Sequence, residues 1–595
     1  MEIEDWPNLV AMFLANAEAR RERPFLWEKR NGVYQSTSWG EAAHQVSALA
    51  SALQARGLGP GDRVLLLANN SPRWVIADFA IMAAGCVTVP VYTTNTISNH
   101  THILGDIDAS AAIVSTATLA RPFLEAARQF ETLRHVIAME DWGDLDRGNA
   151  VVTSWDDAVA EGKTGAGAVA AAAPAIDRDA TAAVIYTSGT GGNPRGVMLS
   201  HRSIIANCVG AAEVLEEVGL DDEVFLSFLP LSHAYEHSAG LMFPVSIGAQ
   251  IYFAERVDTL TSNLLEARPT IMTSVPRLYE VMREKILRDV SRQGGLREKL
   301  FSAAVMLGRK RYESPEAMTW TERIADRVVD RLVRDTFRSR FGGRLKALVS
   351  GGAPLNYGVG LFLTALGLRL LQGYGQTEAG PVITCNRCGR IKLRTVGPPL
   401  KHVELRIADD GEVLVRGPLL MDGYWRQPEA SAEALREGWL HTGDIGVVDD
   451  DGYLRITDRK KDIIVNSAGE TISPQKIELE LALEPEIDAA MAVGDNRPHI
   501  VAIIVPASDF VTRWTESRGV SASLAELREN RDFIGAIGQA VDRANRNLAP
   551  AERVKRFVVV DQPFTIENGM MTPTMKPRRH MILNRWGPAI DEAGR

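Results

Sequence analysis

Cysteine is scarce: four residues in a chain of 595. That is too few for a disulfide framework and predicts a reducing, cytoplasmic setting. Cys385 and Cys388 form a CxxC with no second pair to complete a zinc site. His100 and His102 stand without further ligand types nearby and read as structural or surface residues. Long apolar runs are also lacking. The longest, Val75 to Tyr92, is interrupted by Asp78 and Pro90 and is too short between those breaks to span a bilayer. The opening MEIEDWPNL is acidic and has no apolar centre, so no signal peptide is expected. An excess of positive charge is missing as well: the formal net charge is −9, which argues against nucleic acid as the main partner. The Walker GK[ST] ending is absent from the one loop that could otherwise hold phosphates.

That loop is YTSGTGGNPRG, Tyr186 to Gly196. It carries the hydroxyls of Thr187, Ser188 and Thr190, the glycines Gly189, Gly191 and Gly192, and the cation of Arg195. Glycines let consecutive backbone N–H groups face one anion, and hydroxyls add donors or a metal ligand. The preceding TAAVIY is apolar and β-prone, so the turn sits at the C-terminal end of a buried strand.

At this length two or more domains are expected. RVLLLAN, VTVPVY, AAIVST, TAAVIY, AQIYFA, TIMTSV and LKALVS read as strands alternating with helices. The pattern is α/β with largely parallel sheets, whose ligands gather at the strands' C-terminal ends. The Ala/Gly-rich stretch Gly162 to Ala175 reads as a surface linker. From Leu296 to Arg344 the chain is helical and basic. It reads as a solvated amphipathic helix pair packed on the sheet, with a face for an anionic membrane or for coenzyme A phosphates as the competing reading. After Thr395 come short strands and turns, forming a small β-rich unit. Residues from about 459 read as a smaller, mobile α+β domain.

Further motifs add to the loop. SGGAPL brings Gly352, Ala353 and Pro354; QGYGQTE brings Gln372, Gly373, Tyr374, Gly375, Gln376, Thr377 and Glu378. Glycines allow a flat base to lie against the backbone, Tyr374 can stack on it, and Glu378 is a hard oxygen ligand suited to Mg²⁺. HTGD adds the carboxylate of Asp444, and TDRKKD adds the cation of Arg459.

Taken in order, these motifs resemble the adenylate-forming (AMP-binding) acyl-CoA synthetases over nearly the whole chain. Gly191 stands where a second Thr is common and Arg195 where Lys is usual; both keep small size or positive charge. The resemblance implies a large N-terminal domain, 1–458, of two doubly wound α/β subdomains plus a small distorted β-barrel. A mobile C-terminal α+β domain, 459–595, follows. It implies that Thr377 touches the α-phosphate, that Thr187 and Glu378 place Mg²⁺, that Asp444 accepts the ribose hydroxyls with Arg459 on the other side, and that Lys461 is the hinge. It also implies that Lys576 of TPTMKPRR reaches the reacting carboxylate, with Met575 in place of the usual glycine. In LPLSHAYEH, His233 would lie beside the substrate carboxylate, and His237 matches a position where some bacterial relatives carry a gating Trp. Tyr279 and Arg277 of TSVPRLYE are expected to be structural. The implied activity is ATP-dependent ligation of medium- to long-chain fatty acids to coenzyme A through an acyl-adenylate. Transfer to a carrier protein, and a nucleotide sensor without catalysis, are the competing functions. The intact set Thr187, Glu378, Asp444, Arg459 and Lys576 argues against the sensor.

Overall fold

The computed structural model describes residues 2–148, 150–187, 194–256, 258–572 and 577–593. Every strand expected above forms, because each is a short apolar run whose two faces are both covered. Among the described residues they assemble into two eight-stranded sheets. The first runs, in spatial order, through Gly423–Tyr424, Arg195–Ser200, Thr181–Thr187, Val87–Pro90, Arg63–Leu67, Ala111–Val114, His135–Ala138 and Val151–Ser154. From Thr181–Thr187 onward its neighbours are parallel, whereas Arg195–Ser200 pairs antiparallel, opposing Thr187 to Arg195. The strands on either side of the phosphate-loop segment, Thr181–Thr187 and Arg195–Ser200, are therefore antiparallel neighbours one strand in from the sheet's edge.

The second sheet runs through Val382–Cys385, Leu370–Gly375, Ala347–Ser350, Ile271–Ser274, Val224–Ser227, Gln250–Phe253, Pro24–Arg30 and Val33–Ser38. It is parallel except at its two ends. Alternation sets the faces of the strand Ile271–Ser274: Ile271 and Thr273 look into a cavity, while Met272 packs into the layer formed by Tyr279, Ile286, Phe301 and Phe362. That layer belongs to the helices Pro276–Gln293, Gly295–Glu313 and Tyr357–Ala365.

A smaller antiparallel sheet, with Glu404–Ile407, Glu412–Arg416, Trp439–Val448, Leu435–Arg436 and Leu454–Arg459, follows. Beyond it the chain builds cores of its own around the strands Ile487–Val493, Ile500–Pro506 and Val554–Val559. Arg277 reaches Asp488 in this last part at 2.7 Å, and the Asn356 amide reaches Glu480 at 3.2 Å. Arg277 thus bridges two parts of the chain.

One expectation fails. Gly162 to Ala175 is no open linker: Ala166–Ala172 is helical and runs into a turn of 3₁₀ helix at Ala173–Ala175. Alanine is the best helix former, and a run of it overrides the glycines. Gly162 also presses so closely on the helix Trp39–Ala55 that a Cβ there would lie 1.8 Å from the Ala48 carbonyl oxygen.

Candidate active site

A single cavity of about 1000 Å³ collects most of the expected residues on its wall. Thr187 and Arg195 come from the paired strands Thr181–Thr187 and Arg195–Ser200; Gly352 follows the strand Ala347–Ser350; Gly373 to Glu378 run from the end of the strand Leu370–Gly375 into the turn after it; Arg459 and Lys461 come from the end of the small sheet. Thr187, Gly352 and Gly373 to Glu378 lie at the C-terminal ends of strands with parallel neighbours, where an open sheet leaves its crevice. Gly375 cannot be replaced there, since a Cβ would meet the Pro381 carbonyl oxygen at 1.9 Å. Ala353, Pro354, Gln372 and Asp444 are not on the wall; Asp444 is buried behind it, as is Gln372, whose carbonyl oxygen accepts from the Asn386 N–H at 3.0 Å. Ser188, Gly189, Thr190, Gly191, Gly192 and Lys576 lie outside the described residues.

The polar end of the cavity holds two linked constellations. Tyr424 donates its hydroxyl to Glu378 Oε1 at 2.9 Å, and the Arg195 guanidinium stands 5.4 Å from the centre of the Tyr424 ring. Burial, helped by the Glu378 charge, holds the Tyr424 phenol well above its ordinary pKa, so it remains a donor. In the second constellation, Asp444 Oδ2 accepts from the Tyr374 hydroxyl at 2.6 Å, and Asp444 Oδ1 lies 3.3 Å from Arg459 Nε. The pairing of Asp444 opposite Arg459 is fixed by the register of adjacent antiparallel strands. Burial raises the Tyr374 phenol far above its usual range, and Asp444 adds to the shift. Thr377 lies on the wall between the two constellations in sequence.

The other end of the cavity is apolar, with Ala211, Val214, Leu215, Phe225, Phe243 and Ile271 on its wall. His233 stands on the wall as well; its Nδ1 accepts from the Tyr235 N–H at 3.1 Å, which leaves the proton of the neutral ring on Nε2. His237 does not reach the cavity. It is fully buried, and its Nε2 donates to Asp78 Oδ2 at 3.0 Å. Ala239 and Phe243 of the same segment face the space instead, because the wide π-turn over Glu236–Met242 rotates the wall.

Several residues on or behind the wall escaped the sequence reading. His102 is no bland surface residue: it lines the cavity, and its Nε2 donates to the Pro194 carbonyl at 3.0 Å, bracing the end of the phosphate-loop segment. His100, by contrast, is buried edge-on against Phe123, and burial lowers its pKa to about 4. Glu236 lies fully buried behind Thr273, accepting the hydroxyls of Thr273 and Ser227 at 2.7 Å each, and burial raises its pKa to about 7. Lys460 is tied to Asp410 at 2.6 Å and Glu412 at 3.0 Å, clamping the chain one residue before Lys461. No sequence motif marked Tyr424 or Glu412; only the fold brings them to the site.

The geometry defines a nucleotide-sized polar pocket continuous with an apolar chamber. The chain belongs to the AMP-binding enzyme family: the family's main domain matches residues 13–425 and its C-terminal domain residues 461–593. Long-chain-fatty-acid–CoA ligase FadD15 of Mycobacterium tuberculosis is 33% identical over 579 residues, covering 94% of this chain and 92% of that protein. Human long-chain-fatty-acid–CoA ligase 1 is 31% identical over 615 residues, covering 99% of this chain and 87% of its own length. The adenylation domain of carboxylic acid reductase from Segniliparus rugosus, in complex with AMP and a co-purified carboxylic acid, superposes with a TM-score of 0.76 at 20% identity, over 98% of this chain and 94% of that one. An anthranilate CoA ligase in complex with anthranoyl-AMP gives 0.73 at 20% identity, over 99% of this chain and all of its own.

Proposed function

We propose that this protein is an ATP-dependent, AMP-forming acyl-CoA ligase acting on medium- to long-chain fatty acids. The observation that carries this reading is a cavity whose polar end gathers Thr187, Arg195, Thr377 and Glu378 and whose other end is an apolar chamber. A carboxylate cannot acylate a thiol directly, because its leaving group would be oxide. In the first step a carboxylate oxygen attacks the α-phosphorus of ATP. The bond to the bridging oxygen of the β-phosphate breaks, and pyrophosphate leaves. In the second step the sulfur of coenzyme A attacks the acyl carbon, the bond to AMP breaks, and the thiol proton is released.

Each group of this chain has a task in that scheme. Thr187 and Glu378 supply hard oxygen ligands that fit Mg²⁺, which when bound neutralises phosphate charge. Tyr424 orients the Glu378 carboxylate. Arg195 and Lys576 stabilise the charge on the transferred phosphoryl group, and Thr377 donates to the α-phosphate. The loop backbone from Ser188 to Gly192 cradles the phosphates. Tyr374 stacks on the adenine beside Gly373, Gly375 and Gly352, and Asp444 with Arg459 holds the ribose. His233 positions the substrate carboxylate. Each methylene buried in the chamber contributes about 0.8 kcal/mol, which lets its depth select chain length.

Residues 1–458 form the nucleotide and acyl body in this reading, and 459–595 form a lid that carries Lys576 and turns about Lys461 to admit the thiol. The enzyme is read as cytoplasmic, meeting membranes peripherally; no helix among the described residues is long and apolar enough to cross one.

The test is pyrophosphate release across saturated acids of increasing length, with and without coenzyme A. Release that requires a long acyl chain and a thioester product supports the reading. A thioester formed only on a carrier protein would reassign the acceptor, and no release with any acid would reject the ligase.

A further inference from the structure

The basic helical region carries a pattern that neither the cavity nor the core explains. From Trp320 the sequence runs WTER-IADR-VVDR-LVRD, three successive tetrads that place a large apolar residue first, an acid third and an arginine fourth. The structure gives each row its own destination. The segment is helical from Trp320–Val329, through a π-turn at Asp330–Arg334, to Asp335–Ser339; it starts at Thr319, whose hydroxyl accepts from the Glu322 N–H at 3.2 Å. The acids turn inward. Glu322 takes Lys310 at 2.8 Å, Asp326 takes buried Arg334 at 2.6 Å, and Asp330 takes Arg338 at 3.0 Å.

The apolar row turns outward. Trp320 is 74% exposed, Ile324 49%, Val328 51% and Leu332 58%. A four-residue step overshoots the 3.6-residue α turn, and the wider π-turn takes back part of the drift, so Leu332 stays in line with the others. Beside this row lie Arg323, Arg327 and Arg331. Arg323 donates to the carbonyls of Pro315 and Met318, at 2.9 and 3.3 Å. Neither Arg327 nor Arg331 makes an ion pair among the described residues. Residues 295–344 hold twelve Lys and Arg against seven Asp and Glu, a local charge of +5 in a chain of −9.

An exposed row of four large apolar side chains is not a solvated face. We propose that this helix docks the enzyme onto an anionic lipid surface, with the apolar row entering the headgroup boundary and the arginines on lipid phosphates. Three features select a bilayer as occupant. The face is a convex helix and not a groove, the unpaired cations match anionic headgroups, and an exposed Trp at one end suits the headgroup level. A second copy would set this positive segment against itself. The inference rests on the proposed fatty-acid substrate, an amphiphile that collects in membranes. The helix packs on the layer behind the second sheet, on the side away from the cavity, so it tethers the enzyme and does not conduct the acid.

Co-sedimentation of the full chain with vesicles tests the assignment, comparing phosphatidylcholine alone with phosphatidylcholine containing phosphatidylglycerol. Binding is expected to be at least tenfold stronger on the anionic vesicles and to weaken with salt. Arg327→Glu with Arg331→Glu should lower it about twentyfold or more, at roughly fivefold per lost charge, and Ile324→Ser with Leu332→Ser should lower it at least tenfold. Brominated lipid should quench wild-type fluorescence more than that of Trp320→Phe. All variants should keep the wild-type melting temperature and turnover of octanoate supplied as monomer. Equal binding to both vesicles, variants that sediment like the wild type, or loss in the variants of a vesicle-independent dimer would each overturn the proposal. Wild-type binding without ligase activity would remove the catalytic reading and leave the lipid surface standing.

Discussion

Tyr424 and Glu378 are joined by a 2.9 Å hydrogen bond across two sheets, the phenol from the edge of the first and the carboxylate from the end of the second. If Glu378 holds the metal, the phenol fixes which carboxylate lone pairs face it. Tyr424→Phe is expected to raise the Mg²⁺ concentration for half-maximal activity by roughly tenfold, the usual scale for removing a partner behind a ligand, with little change at saturating Mg²⁺. A magnesium titration checks this; an unaltered midpoint would separate Tyr424 from metal placement.

The Tyr374–Asp444–Arg459 chain makes a different demand. Asp444→Ala leaves the Tyr374 hydroxyl without its acceptor and removes the proposed ribose contact. The KM for ATP should rise about tenfold or more, the scale of one charge-assisted hydrogen bond, while the KM for fatty acid stays within twofold. Steady-state kinetics with each substrate varied decides the matter, and a rise confined to the fatty acid would place Asp444 elsewhere.

Glu236 should be visible in stability. Its pKa is raised by burial to about 7 from an ordinary 4.5, so the folded state holds the proton longer than the unfolded one. Its contribution is full below pH 4.5 and is lost as pH rises through 7. Glu236→Gln cannot titrate. Relative to wild type, the variant should gain about 2–3 kcal/mol between pH 5 and pH 8. Paired unfolding curves at the two pH values test it, and a constant difference would show that Glu236 is ionised at both.

Lys461→Pro fixes one backbone angle directly after the Lys460 clamp on Asp410 and Glu412. Acyl-adenylate formation should persist and thioester formation fall at least tenfold. Lys576→Ala should show the opposite split, losing adenylation by about a hundred- to thousandfold while still consuming preformed acyl-adenylate. Single-turnover assays of each half-reaction distinguish them, and equal losses in both halves would remove the division of labour.

The strands Arg63–Leu67, Val87–Pro90, Ala111–Val114 and Thr181–Thr187 were legible because short apolar runs are local signals, whereas the antiparallel return strand Arg195–Ser200 was not. Thr187, Arg195, Tyr374, Thr377, Glu378 and Arg459 could be named because their motifs are compact and ordered. Burial on one face of a wall is not local. His237 and Ala239 sit two residues apart in the same segment, yet a π-turn sends one to Asp78 and the other to the chamber. Glycine content misled at Gly162 to Ala175, where alanine and the neighbouring helix decided the outcome. Tyr424 and His102 owe their places to pairings formed across the fold, which no spacing announces.

Within Ile271–Ser274, successive side chains serve separate compartments: Ile271 and Thr273 line the cavity, and Met272 supports the helices behind it. Changes on the cavity side and changes on the helix side can therefore accumulate independently on opposite faces of four residues.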